Sequence, residues 1–472
     1  MNLLLIVLIP LVGALLPPWF VRWGRTQSAL AAGGAAGAAF LIMVAQVPRV
    51  LAGDIPSLHL PWMPAIGLDL SLRMDGLALL FSILILGIGL LVILYARYYL
   101  KREDPMGRFY AFLLFFMASM LGVVLADNLI LLLVAWELTS LSSFLLIGYW
   151  THLPAARRGA RMALVITGGG GLAMLAGFIL LGDISGTYRI SEILAAGDVV
   201  RASALYAPML VLVLVGAFTK SAQFPFHLWL PHAMAAPTPV SAYLHSATMV
   251  KAGVFLLARL FPALAGTQLW FLLVTGVGVT TMVIAAYIAI SRHDLKALLA
   301  YSTVSHLGII TACFGLGTAM GAVVGVFHIM NHAAFKASLF MNAGIIDHET
   351  GTRDLRQLSG LRRSLPVTGL LALVASAAMA GFPPLNGFLS KEMFFEETLH
   401  PEYHVAPDWL LPLIVTLGGL FSVAYSIRYF ADAFLGPEAT DLPKAPHEPP
   451  RPMRVPVELL VLICIAIGLF PK

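Results

Sequence analysis

Four lysines, Lys220, Lys251, Lys336 and Lys391, fall within or beside long apolar runs, and Glu137 lies inside the run LILLLVAWELTSLSSFLLIGYW. A charge at the centre of a bilayer costs on the order of 3 kcal/mol by insertion scales. It persists only where it is paired, hydrated or neutralised. A lysine kept in such surroundings can bind and release a proton. A carboxylate that approaches or recedes would switch it between the two states. Glu137 with Lys220 is the first candidate for such a switch; the plainer alternative is a static ion pair that fastens two helices. Three further lysines at similar depth favour proton transfer over glue.

The stretch FHIMNHAAFKASLFMNAG places His328, His332 and Lys336 at i, i+4 and i+8, along one face of one helix. Histidine titrates near neutral pH and passes a proton through either ring nitrogen. Two histidines one turn apart also suit a metal, but no third ligand follows and a lysine one turn on disfavours a cation. A proton relay is therefore expected, with no metal and no cofactor. The run KSAQFPFHLWLPHAMAAPTPVSAYLHSATMVKAG holds Pro225, Pro231, Pro237 and Pro239 among Ser221, Gln223, His227, His232, His245 and Lys251. Proline frees backbone carbonyls, which in lipid is tolerated only where water or protein satisfies them. Lys220 and His227 would share a helical face if the kink at Pro225 leaves the register intact. Lys391, in GFPPLNGFLSKEMFFEE, precedes Glu392, Glu396 and Glu397; it either stands at the outer mouth of a path or snorkels to the interface. Lys296, in SRHDLKALLAYS, is either a loop charge or an inner inlet.

The elements that must hold these groups follow from composition. Of 472 residues, 59% are hydrophobic and 11% charged, with a mean hydropathy of +0.89. A soluble domain carries about 25% charged residues, so the bilayer is the main solvent. About fourteen segments are long enough to span, at 2–20, 27–47, 74–96, 109–126, 128–150, 160–182, 206–230, 240–262, 268–290, 298–316, 319–345, 365–390, 409–433 and 455–470. The fold class is all-α, a polytopic helical bundle. The first twenty residues lack a basic leader and a cleavage site and read as a retained helix. Cys313 and Cys464 lie far apart within apolar runs and form no disulfide or metal pattern. GGGG at 168–171 and AAGGAAGAA at 31–39 read as helix-packing faces, since no strand and no Lys-Ser/Thr accompany them. The stretch 443–452 is a Pro-rich loop.

Alternate loops, beginning with Arg22 and Arg25, hold 19 of the 29 Lys and Arg residues. The basic side is cytoplasmic by the positive-inside rule, which puts the N-terminus outside. That placement also argues against nucleic acid as the reason for a net charge of +5. Lys220 followed by Phe224-Pro225, and Phe382-Pro383 followed by Lys391, hint at internal repetition of the kind seen in transporters with helices broken at mid-membrane. The expected regions are 1–105, three N-terminal helices; 106–262 and 263–435, two five-helix repeats, each a proton half-channel; and 436–472, a cytoplasmic loop and last helix.

The stretches WELTSLSSFLLIGYW, FTKSAQFPFHLWLPHAMAAPTPVSAYLHSATMVKAG, HDLKALLAYSTVSHLG, HIMNHAAFKASLFMNAG and GFPPLNGFLSKEMFF resemble the proton-conducting antiporter family. That family joins the antiporter-like subunits of respiratory complex I with the large subunits of Mrp-type sodium/proton antiporters. KSAQFPFHLWLPHAM with HSATMVKAG looks most like the N-terminal half of the A subunits of the latter. The resemblance implies a fourteen-helix core with two inverted five-helix repeats and breaks in helices 7 and 12. It implies Glu137 and Lys220 as the coupling pair, and His328, His332 and Lys336 as part of a hydrated axis. Lys391 would be the terminal lysine of the second half-channel, and His245 and Lys251 would fall on a broken helix 8. It further implies exchange of Na+ or K+ for protons, with other membrane subunits as partners, in a bacterial inner membrane. The alternative is a proton-pumping subunit of complex I or a membrane-bound hydrogenase, its electrons supplied by partners. A third possibility is a scaffold whose charges are structural. Full A subunits continue into further helices, so the expectation is a chain that ends at Lys472 ahead of them.

Overall fold

The computed structural model describes residues 2–401, 403 and 405–470. Twelve helical stretches among them are long and apolar enough to cross a membrane. The helices used below are α1 (Asn2–Trp23), α2 (Arg25–Leu51), α3 (Gly76–Tyr99), α4 (Met106–Leu125), α5 (Leu129–Ile147), α6 (Pro154–Ser185), α7 (Tyr206–Lys220), α8 (Thr238–Ser246), α9 (Lys251–Leu264), α10 (Gln268–Ile290), α11 (Leu295–Gly315), α12 (Ala319–Thr350), α13 (Pro366–Ala380), α14 (Asn386–Thr398), α15 (Leu410–Phe434) and α16 (Arg451–Leu469). Together α8 and α9 make one of the twelve stretches, interrupted between Ser246 and Lys251.

Polar side chains mark where helices begin. Asp75, Asn128, Asp294 and Thr318 each accept a backbone N–H from the first turn of α3, α5, α11 and α12. These groups satisfy amides that lack an intrahelical partner.

Segments 206–230 and 365–390 are both interrupted, at the places where the sequence led to an expectation of broken helices 7 and 12. α7 and α13 have 15 residues each, about 22 Å at 1.5 Å per residue, against a hydrocarbon core of about 30 Å. After α7 the chain proceeds through single turns at Phe226–Leu228, Trp229–His232 and Ala233–Ala235; after α13 it resumes as α14. Because α7 ends at Lys220, the spacing to His227 does not define a shared helical face, and that expectation is corrected. One departure from an all-helical chain occurs in a stretch read as a connection. Strands Ser57–Met63 and Leu68–Arg73 pair antiparallel, with Leu58 opposite Leu72. Asn128 Nδ2 donates to Gly67 O at 2.9 Å and tethers this hairpin to the start of α5.

The chain divides into two compact units: residues 1–221 with 248–269, and residues 222–247 with 270–472. In the first unit α6 packs on α5 and α7. The Arg259 guanidinium of α9 donates to both oxygens of Asp75 at the head of α3, and both groups are largely buried. Burial alone would raise the Asp75 carboxyl, but the hydrogen bonds and charge of Arg259 hold it below the usual carboxylate range. In the second unit α10 and α11 approach at Gly278 and Gly308, where a methyl group would lie 2.5 Å from the backbone nitrogens of Ala312 and Met282. The Pro-rich loop also does structural work there. Glu448 accepts from Val367 N at 2.7 Å and Thr368 N at 2.9 Å and so caps α13.

Removing Arg259 strands the Asp75 carboxylate. Arg259→Gln is expected to destabilise the protein by roughly 3 kcal/mol, read as a lower thermal midpoint by fluorescence-detected size exclusion. Because the Asp75 value is depressed, the pair's contribution is present at neutral pH and lost as the pH falls through that lowered value. An unchanged midpoint at pH 7 would contradict this account.

Candidate functional site

In the first unit the site is built on α5, α6 and α7. Lys220, the last residue of α7, is fully buried. Its ammonium donates to Trp136 O at 3.0 Å and Ser140 Oγ at 2.7 Å and lies 5.0 Å from the centre of the Trp136 ring. Glu137 is the next residue after Trp136 on α5, and its charge acts on the Lys220 ammonium. No ion pair within 4 Å joins them among the described residues. Glu137 Oε1 is buried and has no hydrogen-bond partner there. The carboxylate occupies a recess left by missing side chains: a methyl group on Gly171 would come within 1.7 Å of Glu137 Oε1. The neighbouring Gly170 leaves the same kind of room for Thr219 Oγ1 at 1.8 Å. The glycine run, read as packing, is thus a cradle for the acid and for the residue before Lys220. Lys251 is fully buried at the first turn of α9.

In the second unit α11, α12 and α14 bring together more titratable groups than the i, i+4, i+8 row. His328, His332 and Lys336 are all fully buried on α12. His306 of α11 joins them, its ring stacked on His328 with centres 5.2 Å apart and 5.4 Å from His332. His306 Nδ1 and His328 Nε2 are 3.0 Å apart, and His328 Nδ1 is 2.8 Å from Ser390 Oγ. Imidazole, imidazole and hydroxyl form a hydrogen-bonded chain whose direction depends on the tautomers. Lys336 Nζ donates to Ser302 Oγ at 2.7 Å and lies 3.0 Å from Met379 Sδ.

Lys391 follows Ser390 on α14. Its ammonium donates to Met379 O at 2.8 Å, Ala380 O at 3.0 Å and Ser422 Oγ at 2.8 Å. It is buried and does not snorkel to the interface: the end of α13 leaves carbonyls that would otherwise lack donors, and the lysine takes them. Lys296 is buried too, donating to Ala236 O at 2.6 Å, and is not a loop charge. His245, fully buried on α8, lies between the rings of Trp229 and Phe340, with no hydrogen-bond partner for either ring nitrogen among the described residues. No cluster of metal ligands occurs among the described residues.

Sequence reasoning missed His306, the serines and the purpose of the glycines. Ser140, Ser302 and Ser422 each accept from a buried lysine. A hydroxyl can accept from an ammonium and, after the proton leaves, donate to the amine. The spacing of Ser302 and His306, four apart on one helix, was a usable signal; the lysine–serine pairs lie 31 to 80 residues apart in sequence and were not.

Residues 126–418, well over half of the chain, match the family described as "NADH:quinone oxidoreductase/Mrp antiporter, TM"; residues 62–110 match one described as "NADH-Ubiquinone oxidoreductase (complex I), chain 5 N-terminus". The chain is 57% identical to the A/B component of a probable K(+)/H(+) antiporter of Rhizobium meliloti, over 98% of its own length and 46% of that protein. It is 47% identical to the A component of the Na(+)/H(+) antiporter of Alkalihalophilus pseudofirmus, over 92% of its length and 56% of the relative. It therefore spans about half the length of these relatives. Among solved structures, a chain of the Mrp complex from Dietzia sp. DQ12-45-1b superposes with a TM-score of 0.90 at 40% identity, covering all of this chain and 50% of that one. A chain of an archaeal membrane-bound sulfane sulfur reductase superposes at 0.88 with 24% identity, a likeness of fold.

The glycine cradle makes its own prediction. Gly171→Val should displace the Glu137 carboxylate, and any proton transfer that depends on the Glu137–Lys220 pair should then fall roughly tenfold or more, since about 1 Å of misplacement can cost a hundredfold. Gly169→Ala, where nothing lies within 4 Å of the added methyl, should leave that transfer unchanged at equal expression. Equal activity of the two variants would refute a positioning role for Gly171.

Proposed function

Because the chain belongs to the NADH:quinone oxidoreductase/Mrp antiporter transmembrane family, we propose that it translocates protons within a multisubunit antiporter that exchanges a monovalent cation, Na+ or K+, for H+. The observation that carries this reading is the solvation of its buried lysines. Lys220, Lys336 and Lys391 each donate to a serine hydroxyl, with backbone carbonyls or a thioether completing the shell. Among the described residues none of the three takes a carboxylate as its hydrogen-bond partner. A salt bridge would lock the ammonium form; neutral dipoles accommodate both ammonium and amine.

In the first unit Glu137 modulates Lys220 from the adjacent turn. Movement of the carboxylate toward the ammonium favours the bound proton, and movement away favours its release. In the second unit the His306–His328–Ser390 chain carries protons by alternate use of the ring nitrogens, while Lys336 and Lys391 act as holding points. His245, Lys251 and His332 are further buried titratable groups beside these. The two relatives named for K+ and Na+ exchange leave either ion as the cargo.

The protein would lie in a bacterial inner membrane, associated with other membrane subunits, with its N-terminus outside. Support for that orientation is the gathering of Arg22, Arg25, Arg97, Lys101, Arg102, Arg108, Arg157, Arg158 and Arg161 in alternate loops and helix ends. The expected inverted repeats find support in the two interrupted regions, α7 with its following turns and α13 with α14.

In everted vesicles carrying the full complex, Lys220→Ala, Lys336→Ala and Lys391→Ala should each abolish cation-dependent proton flux while the subunits still co-purify. Glu137→Gln should do the same, and Ser140→Ala should retain partial flux. The flux should need a pH gradient or cation gradient and no electron donor. Wild-type rates in the lysine variants would overturn the proposal.

A further inference from the structure

The first unit contains a cavity of about 570 Å³ among α4, α5 and α6, away from Glu137 and Lys220. Arg108, Arg157 and Arg161 line it together with Tyr149, Phe112 and Phe144, and no carboxylate is among its lining residues. The arginines are only lightly engaged. Arg108 donates to Tyr149 O at 2.9 Å and lies over the Tyr149 ring at 5.2 Å. Arg157 donates to Thr151 O at 3.3 Å, which leaves most of its five donors unused. Arg161 makes no hydrogen bond or ion pair among the described residues. Tyr149 is 1% exposed, and its hydroxyl is buried without a partner there. Burial, reinforced by Asp104, raises the Tyr149 phenol well above its ordinary value, so it remains a neutral donor.

The position of the cavity selects among anions. α6 has 32 residues, about 48 Å of helix, and overruns a hydrocarbon core of about 30 Å. The overrun falls to its basic end: the first two turns, with Arg157 and Arg161 four apart on one face and Arg158 between them, belong at headgroup level. Phe112 and Phe144 supply apolar walls beside the guanidinium groups. A free phosphate would gain nothing from those walls, whereas a phospholipid presents charge and hydrocarbon in that order.

We propose that this cavity binds the phosphodiester headgroup of an anionic phospholipid, with Arg157 and Arg161 on the phosphate and Phe112 and Phe144 against the adjoining chain. The same lipid touches the end of α5, which carries Glu137, and the start of α6, which carries the glycine cradle. On the proposed transport reading, flux would then require anionic lipid, but binding can be measured without flux.

The test uses the full-length complex in phosphatidylcholine nanodiscs doped with phosphatidylglycerol, followed by native mass spectrometry. The wild type should retain phosphatidylglycerol in preference to phosphatidylcholine. Arg157→Gln with Arg161→Gln should weaken that retention about thirtyfold, a factor of about five for each charge. Arg158→Gln, on the same helix but outside the cavity, should not. Inorganic phosphate at millimolar concentration should fail to displace the lipid. Equal retention of both lipids, unchanged retention in the double variant, or displacement by phosphate alone would each overturn the proposal. So would cross-linking that places an acidic segment of a partner protein in the cavity.

Discussion

An ammonium group at the depth of lipid tails must be solvated by the protein, and the choice of solvating groups determines what it can do. In this chain Lys220, Lys296, Lys336 and Lys391 donate to carbonyls, serine hydroxyls and a thioether. Such groups offset part of the desolvation cost without fixing the charge state. An ion pair of the kind formed by Arg259 and Asp75 serves a different end. There a permanently charged guanidinium is held by a carboxylate, and the result is a fastener.

The helix breaks follow from the same constraint. Within a regular helix most carbonyls are taken by the helix's own amides, and a lysine such as Lys220 can only share one, as it does with Trp136 O. The last turn of α13 releases Met379 O and Ala380 O to Lys391, and the interrupted stretch before α8 releases Ala236 O to Lys296. Prolines and short turns that would be costly against lipid are tolerated because their freed acceptors have found a donor. Packing makes room in a complementary way. Gly170 and Gly171 withdraw side chains from α6 where Thr219 and Glu137 need space.

The basic face around α4 and α6 shows how the same residue type serves different roles according to its burial and partners. Buried Arg259 is paired, whereas Arg157 and Arg161 at the end of a long helix keep unused donors beside aromatic walls. Guanidinium groups at that level meet phosphates without leaving water, so no paired carboxylate is needed.

The amino-acid sequence alone determined the class of the protein, its helical segments and the identity of most groups for which transport chemistry is proposed. Long apolar runs admit few structures in lipid, and a charge within them is conspicuous. Hence Glu137, the buried lysines and the row from His328 to Lys336 were legible from type and spacing within single helices. Only the tertiary structure decided the partners. Lys220 reaches a carbonyl 84 residues away, and His306 meets His328 across 22 residues. It also showed Lys296 and Lys391 to be buried, where sequence had left a loop charge or a snorkelling side chain open, because free carbonyls at helix breaks can solvate a lysine that hydropathy alone would send to water. Spacing within one helix is governed by local geometry and can be read directly, whereas contacts between helices depend on packing, which no linear pattern encodes.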